Sequence, residues 1–215
     1  MLLSLALSLA AILVLLLITE YLWRTEKLHV EVSRKIIHMG TGVIVAFWPH
    51  FLPWHVIQLL AIALLAVVLT SYKFKIFKSI HSVKRITRGE ILYPLAIAAC
   101  ALLEPAPWVF TVAILHLALA DGMAAIIGVH YGKKTQYNIL SHGKSLAGSL
   151  AFFITSFLIF VAASFIVSEN GLPAQYGWFI WAALILTLIE NISWFGSDDI
   201  TIPIATIVIL TLLPS

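Results

Sequence analysis

Four carboxylates, Asp121 and the later group Glu190, Asp198 and Asp199, sit beside long apolar runs. A charged side chain within a membrane span costs about 2.5–3.5 kcal/mol at the centre and less near an end, so Asp121 is expected to have a chemical role. Mg²⁺ takes oxygen ligands, commonly one or two carboxylates together with substrate phosphates. Asp121, Glu190, Asp198 and Asp199 therefore form a candidate metal set. Three of them lie in "ENISWFGSDDITIP", residues 190–203, where Gly196 and Pro203 shape the turn. The simpler alternative for that stretch is an acidic turn between spans.

The basic residues suggest what such a cation would meet. In "EVSRKIIHMGTG", residues 31–42, Glu31, Arg34, Lys35 and His38 fall on one helical face. Arg34 and Lys35 could hold phosphate oxygens there, arginine in a bidentate manner. A plain basic anchor at a span end is the alternative. In "SHGKSLAGS", Lys144 and Ser145 lie between Gly143 and Gly148 at the start of an apolar run. Helix N-termini attract anions, and lysine adds a point charge. This is no P-loop, because residue 138, where the first glycine belongs, is Asn138. Ala124, Gly128 and Gly132 recur every four residues, which close helix packing also explains. The basic stretch "YKFKIFKSIHSVKRITRGE" reads as an interfacial amphipathic segment on anionic headgroups, with Arg88 and Glu90 at the mouth of a span. The other histidines (His29, His50, His55, His81, His116, His130 and His142) read as structural or solvated, and no zinc-ligand spacing occurs.

The elements that position these groups are membrane helices. Of 215 residues, 61% are hydrophobic and only 11% charged, and the mean hydropathy is +1.03. A soluble domain cannot cover its surface with so few charges. Several runs reach the ~20 apolar residues that cross a bilayer, and their continuity argues against a β-barrel. The expected fold is all-α, a polytopic transmembrane bundle of about seven or eight spans forming a single domain over 1–215. The spans are read at about 2–22, 36–52, 54–71, 90–104, 107–127, 146–167, 176–193 and 200–213. The first is read as a retained span rather than a signal peptide. The single cysteine, Cys100, allows no disulfide framework. All thirteen Lys and Arg residues fall in the first, third and fifth connections. That is a positive-inside pattern with both termini outside. It puts the acidic candidates near the cytoplasmic face, and a prokaryotic plasma membrane is the expected location.

"RKIIH", "RGEILYP", "ADGMAAIIGVHYGKK", "GKSLAGS" and "GSDDITIP", in this order, resemble the motifs of the dolichol kinase, phytol kinase and CTP-dependent diacylglycerol kinase family. The resemblance covers about residues 31–205. It implies transfer of a phosphoryl group from a nucleoside triphosphate, typically CTP, to the hydroxyl of a polyprenol, phytol or diacylglycerol. By this resemblance Asp121, Lys144 and His38 are the candidate catalytic residues. Arg34, Lys35, Gly128, Gly132, Lys133, Lys144, Ser145 and Gly148 are the candidate phosphate-binding set, with Ser149 and Pro203 also matching. The chain departs from the family's pattern at Ala147, where a glutamate is frequent, and at Asp198-Asp199, where Asp-Asn is commoner. The expected partners are a membrane lipid alcohol, a nucleoside triphosphate with Mg²⁺ and the bilayer, with no nucleic acid; a homo-oligomer stays open. Three other classes compete: a CDP-lipid-forming cytidylyltransferase, a transporter or flippase, and a non-catalytic lipid-binding scaffold, which would need the basic stretch but not the separate acidic positions. Transporters place binding groups near the midplane, whereas these carboxylates crowd one surface.

Overall fold

The computed structural model describes residues 2–25, 30–74, 89–139, 142–167, 176–193 and 196–212. The segments carrying Glu26, His29, Lys75 to Arg88 and Glu169 lie outside the described residues, and so does most of the basic stretch read as interfacial.

A long central helical run organises the rest. It begins at α5 (Pro107–Leu115), where Pro107 occupies the first turn and its missing N–H costs nothing. It continues through a π-turn at His116–Ala120, then α6 (Asp121–Tyr131) and a 3₁₀ turn at Gly132–Lys134. The 28 residues of Pro107–Lys134 extend about 42 Å at the α-helical rise, more than a bilayer core requires. Asp121 opens α6 within this run, directly after the π-turn. Of the run's most apolar stretch 56% is buried, against 22% for α1 (Leu2–Arg24) and 17% for α3 (Trp54–Phe74). The central run is the core of the bundle, and α1 and α3 are its apolar rim.

Around it pack α2 (Val30–Ala46), α7 (Leu146–Val167) and α9 (Asp198–Thr211), while α8 (Tyr176–Ile192) joins α7 to α9 and α4 (Gly89–Leu102) joins α3 to α9. The core is built from Phe110, Ile114, Leu117, Phe152, Phe160, Leu186 and Ile202, all essentially inaccessible. His50 is exposed and is tied to the core through Thr111, its Nε2 lying 2.9 Å from the Thr111 hydroxyl.

Among the described residues four helices are long and apolar enough to cross a membrane alone: the stretches in α1, α3, the central run and α7. The sequence reading counted seven or eight spans. The difference rests on α2 and α9, which carry the polar groups of interest, and on α4 and α8, of which α4 at 14 residues reaches only about 21 Å. Among the described residues the fold is all-α but for one feature the sequence reading did not contain, an antiparallel hairpin of β1 (Gln136–Ile139) and β2 (His142–Ser145). Its register pairs Tyr137 with Lys144.

Candidate active site

α2 and the central run meet through several polar contacts, among them the Thr111 hydroxyl donating to the Ala46 carbonyl at 2.8 Å. Lys35 Nζ lies 2.7 Å from Asp121 Oδ2, with both side chains largely buried. His38 Nε2 lies 3.1 Å from the Leu117 carbonyl and 3.7 Å from Asp121 Oδ2. The π-turn explains why that carbonyl accepts. The Asp121 amide bonds to the carbonyls of Ala118 and His116 and skips Leu117, its ordinary partner. A π-turn of this kind is a frequent device at functional sites. A carbonyl can only accept, so His38 carries its proton on Nε2. The His38 ring stacks obliquely on Tyr93, centroids 4.2 Å apart, and the Tyr93 hydroxyl donates to the His38 carbonyl at 3.1 Å. His38 is thus clamped from two sides beside Asp121.

A second ionic centre comes from three other elements. Lys144, at the end of the hairpin, forms a short ion pair with Glu190 of α8 and lies 3.9 Å from Asp198 Oδ2 of α9. Glu190 is 5% exposed, and its second oxygen, Oε2, has no hydrogen-bond partner among the described residues. A buried carboxylate oxygen without a donor is costly, so this position suits a cation or a ligand donor. The turn into α9 uses Gly196 at φ 86°, a left-handed conformation that glycine adopts freely. Asp198 and Asp199 then occupy the first turn, where the helix dipole favours negative charge. Pro203 has no N–H to give the Asp199 carbonyl.

Asp121 and Asp199 link the two centres. One ligand atom each from His38, Asp121 and Asp199 lie within 4.8 Å of one another. Asp198 and Asp199 stand ahead of the apolar part of α9. Burial raises both above the ordinary carboxylate range, and the nearby Asp121 charge adds to the effect; for Asp199 the rise is large. Arg34 acts electrostatically on Asp199 and so stands within reach of the same group. The arrangement fits a divalent ion bound through oxygen: Asp121 and Asp199 offer converging carboxylates, and His38, its Nε2–H already engaged, is better placed to orient than to ligate.

The glycine ladder lies elsewhere. Cβ atoms on Gly132 would collide with the Ser145 side chain, and one on Gly148 would come within 3.0 Å of the Ala124 carbonyl and 3.4 Å of Gly128 Cα. Gly128, Gly132 and Gly148 are where α6 and α7 close on each other, the packing that small residues permit. Ser145 Oγ accepts from the Gly148 amide at 3.1 Å, so Ser145 caps α7. The Leu146 amide donates to the Thr135 carbonyl at 3.0 Å. Two amides of the expected phosphate cradle are therefore engaged within the protein, which departs from the open helix terminus the sequence suggested. Lys133 is exposed and lines a cleft with Lys35.

Two groups escaped the sequence reading. One is Tyr93, although it sits in "RGEILYP" immediately before Pro94. The other is the pair Tyr137 and Asn191: the Tyr137 hydroxyl, Asn191 Oδ1 and the Oγ of Ser149, itself already in the matching motif, lie 2.6–2.8 Å apart, tying the hairpin to α7 and α8. The sequence signals for this triangle were Ser149 in "GKSLAGS" and the adjacency of Asn191 to Glu190.

No family model and no solved structure matches the chain. Curated relatives do. A phytol kinase of Synechocystis sp. is 28% identical over 205 residues, covering 90% of this chain and 84% of the relative. A probable chloroplastic phytol kinase of Zea mays is 27% identical over 214 residues, covering 88% of this chain and 69% of the relative. A probable chloroplastic phytol kinase 1 of Glycine max is 29% identical over 133 residues, covering 57% and 42%. All three carry the name phytol kinase, and two of them match about nine-tenths of the chain, which supports a phytol/polyprenol kinase-like family.

Proposed function

We propose that this protein is a membrane lipid alcohol kinase that transfers the terminal phosphoryl group of a nucleoside triphosphate, CTP by the family resemblance, to a phytol-like or polyprenyl alcohol. The observation that carries this reading is the convergence of two ionic centres, Lys35–Asp121 and Lys144–Glu190–Asp198, joined through Asp121 and Asp199. Phosphoryl transfer needs alignment and charge neutralisation more than covalent help, and this set provides both. Asp121 and Asp199, with Glu190 and Asp198 beside them, would hold the divalent ion carried by the triphosphate, which neutralises phosphate charge when bound. Lys35, Lys144 and Arg34 would contact phosphate oxygens. The lipid hydroxyl oxygen attacks the γ-phosphorus, the bond to the bridging β–γ oxygen breaks, and the nucleoside diphosphate leaves. The hydroxyl proton passes to a carboxylate; Asp121 is the candidate when Asp198 and Asp199 hold the ion in its place. His38 holds the backbone from which Asp121 projects. The positive-inside pattern of the thirteen cations supports seven or eight crossings with the site on the cytoplasmic side.

The test uses purified protein in detergent, CTP or ATP labelled at the γ-phosphate, a prenyl alcohol and Mg²⁺. Labelled lipid phosphate and nucleoside diphosphate are expected, and chelation should abolish both. Asp121→Asn should lose at least about 100-fold in kcat with unchanged folding. Release of pyrophosphate would instead indicate a cytidylyltransferase, and full activity in Asp121→Asn would reject the assignment of that residue.

A further inference from the structure

A cleft of about 320 Å³ opens between α2 and α6, lined by Val32, Lys35, Ala125, Ile126, Val129, His130 and Lys133. Of its polar lining groups, Lys35 is the one whose Nζ is on Asp121. Its walls, Val32, Ala125, Ile126 and Val129, are aliphatic. His130 Nδ1 is turned back to the Ile126 carbonyl at 2.9 Å, and Lys133 stands at the rim.

The two sides of α6 differ. Ala124, Gly128 and Gly132 form the side closed by Ser145 and Gly148 of the facing segment. Ala125, Ile126, Val129 and Lys133 form the open side. Asp121 begins the same helix and reaches Lys35, which borders the cleft. The other ionic centre, Lys144 with Glu190 and Asp198, is carried by the hairpin, α8 and α9, none of which lines the cleft.

We infer that this cleft seats the lipid alcohol, with the hydroxyl at the Lys35–Asp121 end and the first isoprenoid units along Val32, Ala125, Ile126 and Val129. The inference rests on the kinase reading above. A nucleoside needs hydrogen-bonding partners for base and ribose, and aliphatic walls supply none. A branched hydrocarbon chain needs only shape and apolar surface, and Val129 is 55% exposed at the open side, ready to be covered. Lys133 at the rim suits the interface, where lysine keeps its charge in water. The nucleotide then approaches from the Lys144 side, and Asp121 stands between the two substrates.

Two measurements test this. First, Val129→Trp, which fills the cleft, should raise KM for a prenyl alcohol by about tenfold while KM for the nucleotide stays within about twofold. A rise in nucleotide KM alone, or no change in either, overturns the inference. Second, a diazirine-bearing prenyl alcohol is photolysed on the wild-type protein without nucleotide, and the labelled peptides are mapped. Label within residues 32–35 or 125–133, competed by unlabelled alcohol, supports the seat; competed label elsewhere overturns it. The second measurement requires no turnover. An inactive wild-type protein would therefore count against the kinase reading, while the labelling pattern would still decide the cleft.

Discussion

The Lys144–Glu190 pair invites a quantitative test, because stability and chemistry predict different outcomes for it. Lys144 is 18% and Glu190 6% exposed at the side chain, and Asp198 lies 3.9 Å from the same ammonium. Lys144→Met leaves two carboxylates without their cation, one of them buried. Removing one partner of a buried pair costs about 3–5 kcal/mol, mostly as an uncompensated charge. For a chain of this length each kcal/mol moves the transition by about 2–4 °C, so the apparent Tm should fall by roughly 6–20 °C. Lys144→Met/Glu190→Leu removes both charges and should recover most of that loss, since an apolar pair of similar volume is often neutral to stability. The double variant should nevertheless remain inactive if Lys144 contacts phosphate. Intrinsic tryptophan fluorescence during a thermal ramp in detergent, at one fixed scan rate, reads the first quantity, and the labelled-phosphate assay reads the second. A Lys144→Met protein as stable as the wild type would refute the burial argument, and an active double variant would refute the phosphate contact.

Two further expectations follow from the site. Gly132→Ala forces a Cβ into the Ser145 side chain and should cost about 1–3 kcal/mol by overpacking, whereas Gly177→Ala, with nothing within 4 Å, should be neutral or slightly stabilising; thermal ramps of the two variants compare them directly. Because burial and the Asp121 charge raise Asp198 and Asp199, activity should climb with pH through a limb lying above the ordinary carboxylate range. Asp199→Asn removes one repelling charge, so any activity that survives should show its limb at lower pH; a pH–rate profile with the limb unmoved would contradict the coupling.

The helical membrane class was legible in the residues themselves, because a bilayer demands long apolar runs and leaves little freedom in how they fold. The candidate residues stood out for a related reason: Asp121, Lys144, Glu190 and Asp198 are conspicuous because charge is so scarce around them. The span count was less legible. Helices such as α2 and α9 are too short or too polar to qualify alone, and their placement depends on neighbours that shield them.

What the chain's order of residues could not reveal is which charges meet. Lys35 and Asp121 are separated by 86 positions and Lys144 and Glu190 by 46, and no periodicity links them. Helix packing made those pairs. It also assigned the glycines and Ser145 to a closed helix contact and introduced a π-turn that leaves the Leu117 carbonyl to His38. Local composition determined that polar groups lie among apolar spans, since solvation acts on each segment separately. Only the tertiary structure decided their partners, because contact between distant helices depends on how whole faces fit together.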